Sequence, residues 1–274
     1  MAVQTEDLAV RRGDEFELIG RTELAEPRGC SLMAVRFHRM KELILIVAVF
    51  VLVAATVSAR AATVEERLQQ YGAAARARLS AHFEKQKISY PPYELIFVGL
   101  KEEKRLEIYA KSGTNDFKFV RAYPILAASG VAGPKLREGD RQVPEGIYAI
   151  ELLNPNSSYH LSMRVGYPNE FDRAQAAKEN RTKLGGDIMI HGDAKSIGCL
   201  AMGDEVSEDL FVLAADTGIK HITVILAPVD FRAGKTAADS ATLPMWTKPL
   251  YEEIKKRGMG YEIPTSLFLQ DIRN

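Results

Sequence analysis

The sequence predicts an α+β fold that is predominantly β, with a mainly antiparallel sheet and a few helices. Three observations carry this. Residues Tyr159 to Val165 alternate strictly, placing Tyr159, Leu161, Met163 and Val165 on one face and His160, Ser162 and Arg164 on the other, the period of a half-buried strand. Three strand-like runs, Tyr93 to Leu100, Arg105 to Ala110 and Phe117 to Tyr123, succeed one another across the short polar turns Lys-Glu-Glu-Lys and Ser-Gly-Thr-Asn-Asp. Helical spacing is confined to a few stretches, and no composition shift divides the chain after its N-terminal apolar run.

Taken in order, Thr63 to Gln86 is rich in Ala, Arg and Glu, with Val64, Leu68, Tyr71, Ala75 and Leu79 near helical spacing. It reads as an amphipathic helix that packs on the rest of the domain and is stopped by Pro91-Pro92. After the three-strand meander, Gly130 to Pro144 is a loop punctuated by Gly and Pro, and Gly146 to Leu152 is a strand. The face of the next strand bearing Tyr159, Leu161, Met163 and Val165 is expected to be core. Phe171 to Lys183 looks helical and ends at Gly185-Gly186, and Asp187 to Ile190 is a short buried strand leading into His191-Gly192. Asp204 reads as the N-cap of a helix with an apolar stripe of Val206, Leu210, Leu213 and Ala214, closed by Gly218. His221 to Ala227 is a last strand and Trp246 to Arg257 a C-terminal helix.

The chain has 274 residues, 46% hydrophobic and 26% charged, a composition that can bury a core. Lys plus Arg equals Asp plus Glu at 36 each, so no net basic field points to nucleic acid. Neither repeats nor low-complexity stretches appear. Arg36, Arg39 and Lys41 precede the apolar run Leu43 to Val57, and small residues at Ala59 and Ala61 come after it. This is the layout of an export signal, and the run is shorter than the roughly 20 residues of a spanning helix. Cleavage is the expectation, with an uncleaved signal-anchor as the alternative; membrane contact is expected only through this segment. The polar segment 1–39 ahead of it is unusual, and a start at Met40 or Met33 would give a signal of ordinary shape. The expected organisation is thus a polar segment 1–39, a signal or anchor 40–61, a helix and linker 62–92, a catalytic domain 93–230, and a C-terminal helix and tail 231–274.

Of the two cysteines, Cys30 precedes the signal and Cys199 alone lies after it, so no internal disulfide can form in the exported product. An unpaired thiol in an oxidising compartment points to deep burial or to chemistry. A cysteine attacks carbonyls as thiolate and needs a base. His191 stands at a strand end, and the short Gly-bounded loop to Cys199 can fold the two side chains to hydrogen-bonding distance. Gly198, lacking Cβ, lets the N–H groups of Gly198 and Cys199 approach a substrate carbonyl as an oxyanion hole.

The string Asp-Ile-Met-Ile-His-Gly, Asp187 to Gly192, followed by Ser-Ile-Gly-Cys-Leu-Ala-Met, Ser196 to Met202, resembles the signature of the L,D-transpeptidase catalytic domain, the YkuD-type family. Pro144-Glu145-Gly146-Ile147-Tyr148 resembles its Pro-x-Gly strand opening, and the likeness covers approximately Tyr93 to Pro228. The resemblance implies a YkuD-type mixed β-sandwich or barrel with flanking helices. It also implies Cys199 as nucleophile, His191 as general base and then acid, and the amides of Gly198 and Cys199 as oxyanion donors. Ser196 either orients His191 or contacts substrate, or else simply caps the loop. His160, Ser162 and Arg164 either floor the site, with Arg164 pairing to a substrate carboxylate, or form a solvated outer face; Gly192 of the His-Gly pair counts with the substrate-contacting set. His82 and His221 read as structural.

Many members carry a second His before the Gly-Cys pair and an Arg or Asn two residues after the Cys, where this chain has Ile197 and Ala201. These departures, and the short loop, resemble the YafK-like branch. The implied substrate is the stem peptide of bacterial peptidoglycan. The acyl group passes to an amine in transpeptidation, or to water in a thiol amidase that cuts the link between peptidoglycan and a wall-attached lipoprotein. A non-catalytic wall-binding module is the reading from another class. A metal site of His191, Asp193 and Cys199 would want more imidazole in close spacing, so no metal and no cofactor are expected.

Overall fold

The computed structural model describes residues 7–21, 60–113, 116–237 and 243–258. The chain divides into two units, 1–60 and 61–274. In the first, β1 (Asp7–Arg12) and β2 (Glu15–Arg21) form an antiparallel hairpin within the segment expected only to be polar. The apolar run Leu43 to Val57, read as signal or anchor, lies outside the described residues, as does the tail after 258. Among the described residues no helix is long and apolar enough to cross a membrane.

The second unit opens with α1 (Val64–Gln86), whose start is dictated by its sequence: the Thr63 hydroxyl accepts from Glu66 N at 3.2 Å while the Glu66 carboxylate accepts from Thr63 N at 2.7 Å. Then come β3 (Glu94–Leu100), β4 (Arg105–Lys111), β5 (Lys118–Pro124) and the short β6 (Ala127–Ala128). The long β7 (Gly146–Ser157) and β8 (His160–Val165) form a hairpin, succeeded by α2 (Glu170–Lys178), β9 (Met189–His191), β10 (Leu200–Ala201), α3 (Asp204–Thr217), β11 (Ile222–Ala227) and α4 (Thr247–Gly258). One nine-stranded sheet runs β5-β4-β3-β11-β7-β8-β9-β10-β6, so the architecture is mixed α/β with a large sheet and flanking helices. The sheet is mostly antiparallel, with β11–β3 and β10–β9 parallel. The β7 strand is shared: its first half pairs with β11 and its second with β8, with register shifts after Ile150 and Asn154.

The larger core lies between this sheet and α1 and α3, where Leu79, Phe83, Leu161, Met163, Leu210 and Phe211 are almost fully buried. Each such side chain contributes about 1.5–3 kcal/mol by leaving water. On a second core, Leu250, Tyr251 and Ile254 of α4 cover Ile96, Val98 and Ile225. The helix α4 also reaches the loop before β7: Tyr251 Oη donates to Glu145 Oε2 at 2.7 Å, and Glu145 Oε1 accepts from Lys101 Nζ at 2.9 Å and Gly133 N at 2.8 Å. Burial pushes the Lys101 ammonium down, against its ion pair with Glu145. This buried pair anchors the 129–145 loop, one wall of the cavity that holds Cys199.

The α1 and α3 helices are stapled by charge. Arg78 Nε donates to Asp209 Oδ1 at 2.7 Å, and Tyr123 Oη donates to Asp209 Oδ2 at 2.8 Å. Burial pushes the Asp209 carboxyl up, opposed by these two partners. Replacing Arg78 with Leu leaves a carboxylate that is 2% exposed with one partner, and is expected to destabilise the domain by roughly 2–4 kcal/mol in chemical denaturation.

Several expected boundaries move, each for a local reason. The Tyr159 ring, expected in the core, sits at the β7–β8 turn and is 43% exposed, because the hairpin reverses before the alternation begins at His160. The α2 helix stops at Lys178, not Lys183, where Glu179 leaves helical geometry and Asn180 takes a positive φ. Gly203, not Asp204, is the N-cap of α3, and the Asp204 carboxylate serves another element. The β6 pairing to β10 was not anticipated in the stretch before the loop.

Candidate active site

His191, the last residue of β9, is held between two neighbours: Ser162 of β8 faces it across an antiparallel pair, and Ala201 of β10 across a parallel one. The loop from Gly192 to Cys199 leaves β9 and returns as β10, so the two strands bring the cysteine back beside the histidine's own strand. Met189 N donates to Cys199 Sγ at 3.4 Å, and the thiol donates to the Asp187 carbonyl at 3.7 Å. Both side chains line one cavity of about 540 Å³. They do not hydrogen-bond each other, so the expected direct contact is absent from this resting arrangement: the thiol proton is engaged by Asp187.

The imidazole is oriented from behind. Its Nδ1 meets the Gly192 carbonyl at 2.5 Å, and a carbonyl only accepts, so Nδ1 carries the proton and Nε2 the lone pair. Nε2 has no protein partner among the described residues. The Tyr159 ring covers the imidazole with centroids 4.8 Å apart. Burial pushes the ring's pKa below the ordinary histidine value, the Gly192 carbonyl opposing. Burial also pushes the Cys199 thiol up, opposed by Met189 N–H, with the Asp187 charge raising it further and Lys135 lowering it. The resting pair is therefore a neutral thiol and a neutral base, not a preformed ion pair.

Gly192 is required sterically: a Cβ there would lie 2.6 Å from Asp204 Oδ1, 2.8 Å from the Tyr159 carbonyl and 2.9 Å from His160 Cβ. Asp204 Oδ1 accepts from Asp193 N at 2.8 Å and pins the turn that presents the Gly192 carbonyl. Replacing Gly192 with Ala is expected to cost about 1–3 kcal/mol of stability, read by thermal melting, and to lower turnover beyond that loss because the acceptor of His191 Nδ1 shifts.

Ser196 organises the loop that carries Cys199. Its hydroxyl accepts from Gly198 N at 3.3 Å and Cys199 N at 3.2 Å, and donates to the Cys199 carbonyl at 2.6 Å. Of the three roles read from sequence, the structure displays the loop cap, and no bond joins Ser196 to His191. Gly198 has φ +130, a conformation that disfavours any side chain, which sets the direction of both amides.

The other sequence-predicted residues separate. Ser162 lines the cavity and is 2% exposed. His160 turns away, bonding Glu208 of α3 at 3.0 Å and meeting the Tyr71 ring of α1 edge-on at 5.0 Å. Arg164 pairs with Glu151 at 3.3 Å and Asp187 at 3.8 Å at the rim. His221 packs near Tyr93 with ring centroids 5.9 Å apart. Tyr159, Asp204 and Asn154 were not singled out by sequence. Tyr159 imitated a core position and Asp204 a cap, while Asn154 acquires its place only through the pairing of β7 with β8.

The crystal structure of the helical cell shape determining protein Pgp2 from Campylobacter jejuni matches with a TM-score of 0.40 and 24% sequence identity, covering 53% of this chain and 54% of that one. L,D-transpeptidase 1 of Mycobacterium tuberculosis matches with a TM-score of 0.28 and 15% identity, covering 49% of this chain and 62% of that one. In sequence, the Escherichia coli (strain K12) protein named "Putative L,D-transpeptidase YafK" is 37% identical over 135 residues, 48% of this chain and 51% of the relative. The chain thus spans about half the length of the curated relatives it matches. The YkuD family model, the L,D-transpeptidase catalytic domain, matches residues 94–225, a span that holds every residue of the cavity's His191–Cys199 loop. Residues 94–225 belong to the L,D-transpeptidase catalytic domain (YkuD) family.

Proposed function

We propose that this domain is a peptidoglycan L,D-transpeptidase that works from the cell-envelope side of the membrane, exported through the 40–61 segment, which is either cleaved or kept as an anchor. One observation carries the reading: a thiol that is the lone one among the described residues, and an imidazole whose Nε2 has no partner among them, open into a single cavity, inside the span that matches the family.

Substrate approach to the carbonyl of the diaminopimelate L-centre would displace the Sγ–H contact to Asp187 and bring the thiol to Nε2. Nε2 takes the thiol proton as sulfur attacks, and the imidazolium is stabilised by the Gly192 carbonyl at Nδ1. The carbonyl oxygen becomes an oxyanion that competes with Ser196 for the amides of Gly198 and Cys199. Those two bonds are long, so exchanging them for a charged acceptor is favourable. The tetrahedral centre collapses with cleavage of the C–N bond, and D-Ala leaves with the proton from Nε2. An amine then takes the acyl group. In the thiol amidase reading water takes it, with the lipoprotein link as substrate.

Incubating the full chain with purified tetrapeptide muropeptides and weighing the products tests this. Cross-linked dimers support transfer, while tripeptides or a freed lipoprotein remnant support hydrolysis. Unchanged muropeptides, with a Cys199 that a thiol reagent fails to label even in alkali, would leave a non-catalytic wall-binding module.

A further inference from the structure

We infer that Ser162, with Asn154 beside it, is the seat for the acceptor nucleophile in the second half of the reaction; this rests on the proposed acyl transfer. The pairing of three strands sets Asn154 of β7, Ser162 of β8 and His191 of β9 directly opposite one another, one residue per strand. Directly opposed residues project to the same face of a sheet, and all three line the same cavity. Ser162 is 2% exposed, and its Oγ is a buried polar atom with no hydrogen-bond partner among the described residues. A buried hydroxyl without a partner is unfavourable for folding, and such groups concentrate where a ligand completes them.

The position of the row matters as much as its chemistry. The cysteine lies beyond β9 on the β10 side, contacting Met189, while Ser162 and Asn154 lie on the β7–β8 side. In strand order His191 on β9 stands between the sulfur's side of the sheet and Ser162 and Asn154. A nucleophile held by Ser162 Oγ can therefore give its proton to Nε2 while facing an acyl group on Cys199. Asn154 Oδ1 accepts from Asn156 N at 3.0 Å, which turns its amide and leaves Nδ2 as a donor for the same guest. No member of the row carries a formal charge in its resting form, His191 included, so the seat suits a neutral nucleophile with at least two hydrogens. Water and a primary amine share that chemistry. As the lone pair attacks the thioester carbonyl, one proton passes to Nε2 and the new C–O or C–N bond forms. The C–S bond then breaks, and the departing thiolate recovers the proton from Nε2.

The test is the full chain carrying Ser162→Ala, mixed with tetrapeptide muropeptide and quenched over time, with intact protein mass and products read together. The acyl-enzyme on Cys199 is expected to accumulate, with steady-state occupancy at least about tenfold above wild type, because deacylation slows more than acylation. Tripeptide reports water and cross-linked dimer reports the amine, and whichever wild type forms should fall by a similar factor. The melting temperature should hold or rise, since the hydroxyl has no bond to lose. Asn154→Ala, at a half-buried position, should give the same split with a smaller factor. Deacylation at the wild-type rate, acylation and deacylation falling equally, or a lowered melting temperature in Ser162→Ala would each overturn the assignment. A wild-type chain that turns over muropeptide without any adduct on Cys199 would instead refute the acyl-transfer reading.

Discussion

Replacing Cys199 with Ala is expected to abolish muropeptide turnover, by at least about 10³-fold, while leaving the melting temperature within a degree or two. The sulfur is only partly buried, and its contacts are a 3.4 Å bond from Met189 N and a 3.7 Å bond to the Asp187 carbonyl, so little folding energy goes with it. In the proposed mechanism what disappears is the bond-forming atom, which the amides of Gly198 and Cys199 cannot replace. Cys199→Ser separates nucleophilicity from shape: an alkoxide is far harder to form than a thiolate beside a neutral imidazole, so that variant should be nearly as inactive. Muropeptide product analysis on both variants checks the pair, and retained turnover in either would remove the thiol from the mechanism.

Replacing His191 with Asn is expected to lower turnover by about 10²–10⁴-fold, the range for a lost general base. The wild-type pH profile gives this residue a signature. Burial holds its pKa below the ordinary histidine value, and in the proposed mechanism the working form is the neutral ring. kcat/KM should therefore rise through an acid limb lying below the usual histidine range and then stay flat through neutral pH. The thiol, raised by burial, is deprotonated within the reaction and adds no limb near neutrality. Alkylation of Cys199 in the absence of substrate should accordingly be slow at neutral pH and accelerate only in alkali. Stability moves in the same direction. The unfolded imidazole binds its proton at a higher pH than the folded one, so the native state is fully stable above the unfolded value and loses stability as pH falls from there through the folded pKa. In His191→Asn the acid limb should vanish along with most of the rate.

The parts of this site legible in the sequence were those set by local chemistry. By spacing alone a histidine and a cysteine are more often a packed ring and a buried thiol, so His191 and Cys199 stood out through the likeness of their local strings to the family signature, and the meander of β3, β4 and β5 was visible because short strand-like runs and polar turns specify hairpins. Helical spacing from Val64 to Leu79 announced α1, while the capping box at Thr63 that starts it was not read. What could not be read depends on pairing between distant segments. Nothing local says that Asn154, Ser162 and His191 fall into one row, or that β7 bends from one neighbour strand to another. Residues with two plausible jobs were assigned the commoner one: Tyr159 fits a core alternation and Asp204 fits an N-cap, yet one covers the imidazole and the other ties Asp193. Gly198 was read as exposing its own N–H and that of Cys199, but not that Ser196 would occupy both of them at rest.

Intact mass of the full chain, acid-quenched within the first turnovers on a tetrapeptide muropeptide, reaches the central claim most directly. A thioester at Cys199 predicts a protein heavier by the muropeptide less its terminal D-Ala, mapped to the peptide containing Cys199 and released by mild base or hydroxylamine. Product formation with no such adduct at any quench time, or an adduct mapped to another residue, would contradict it.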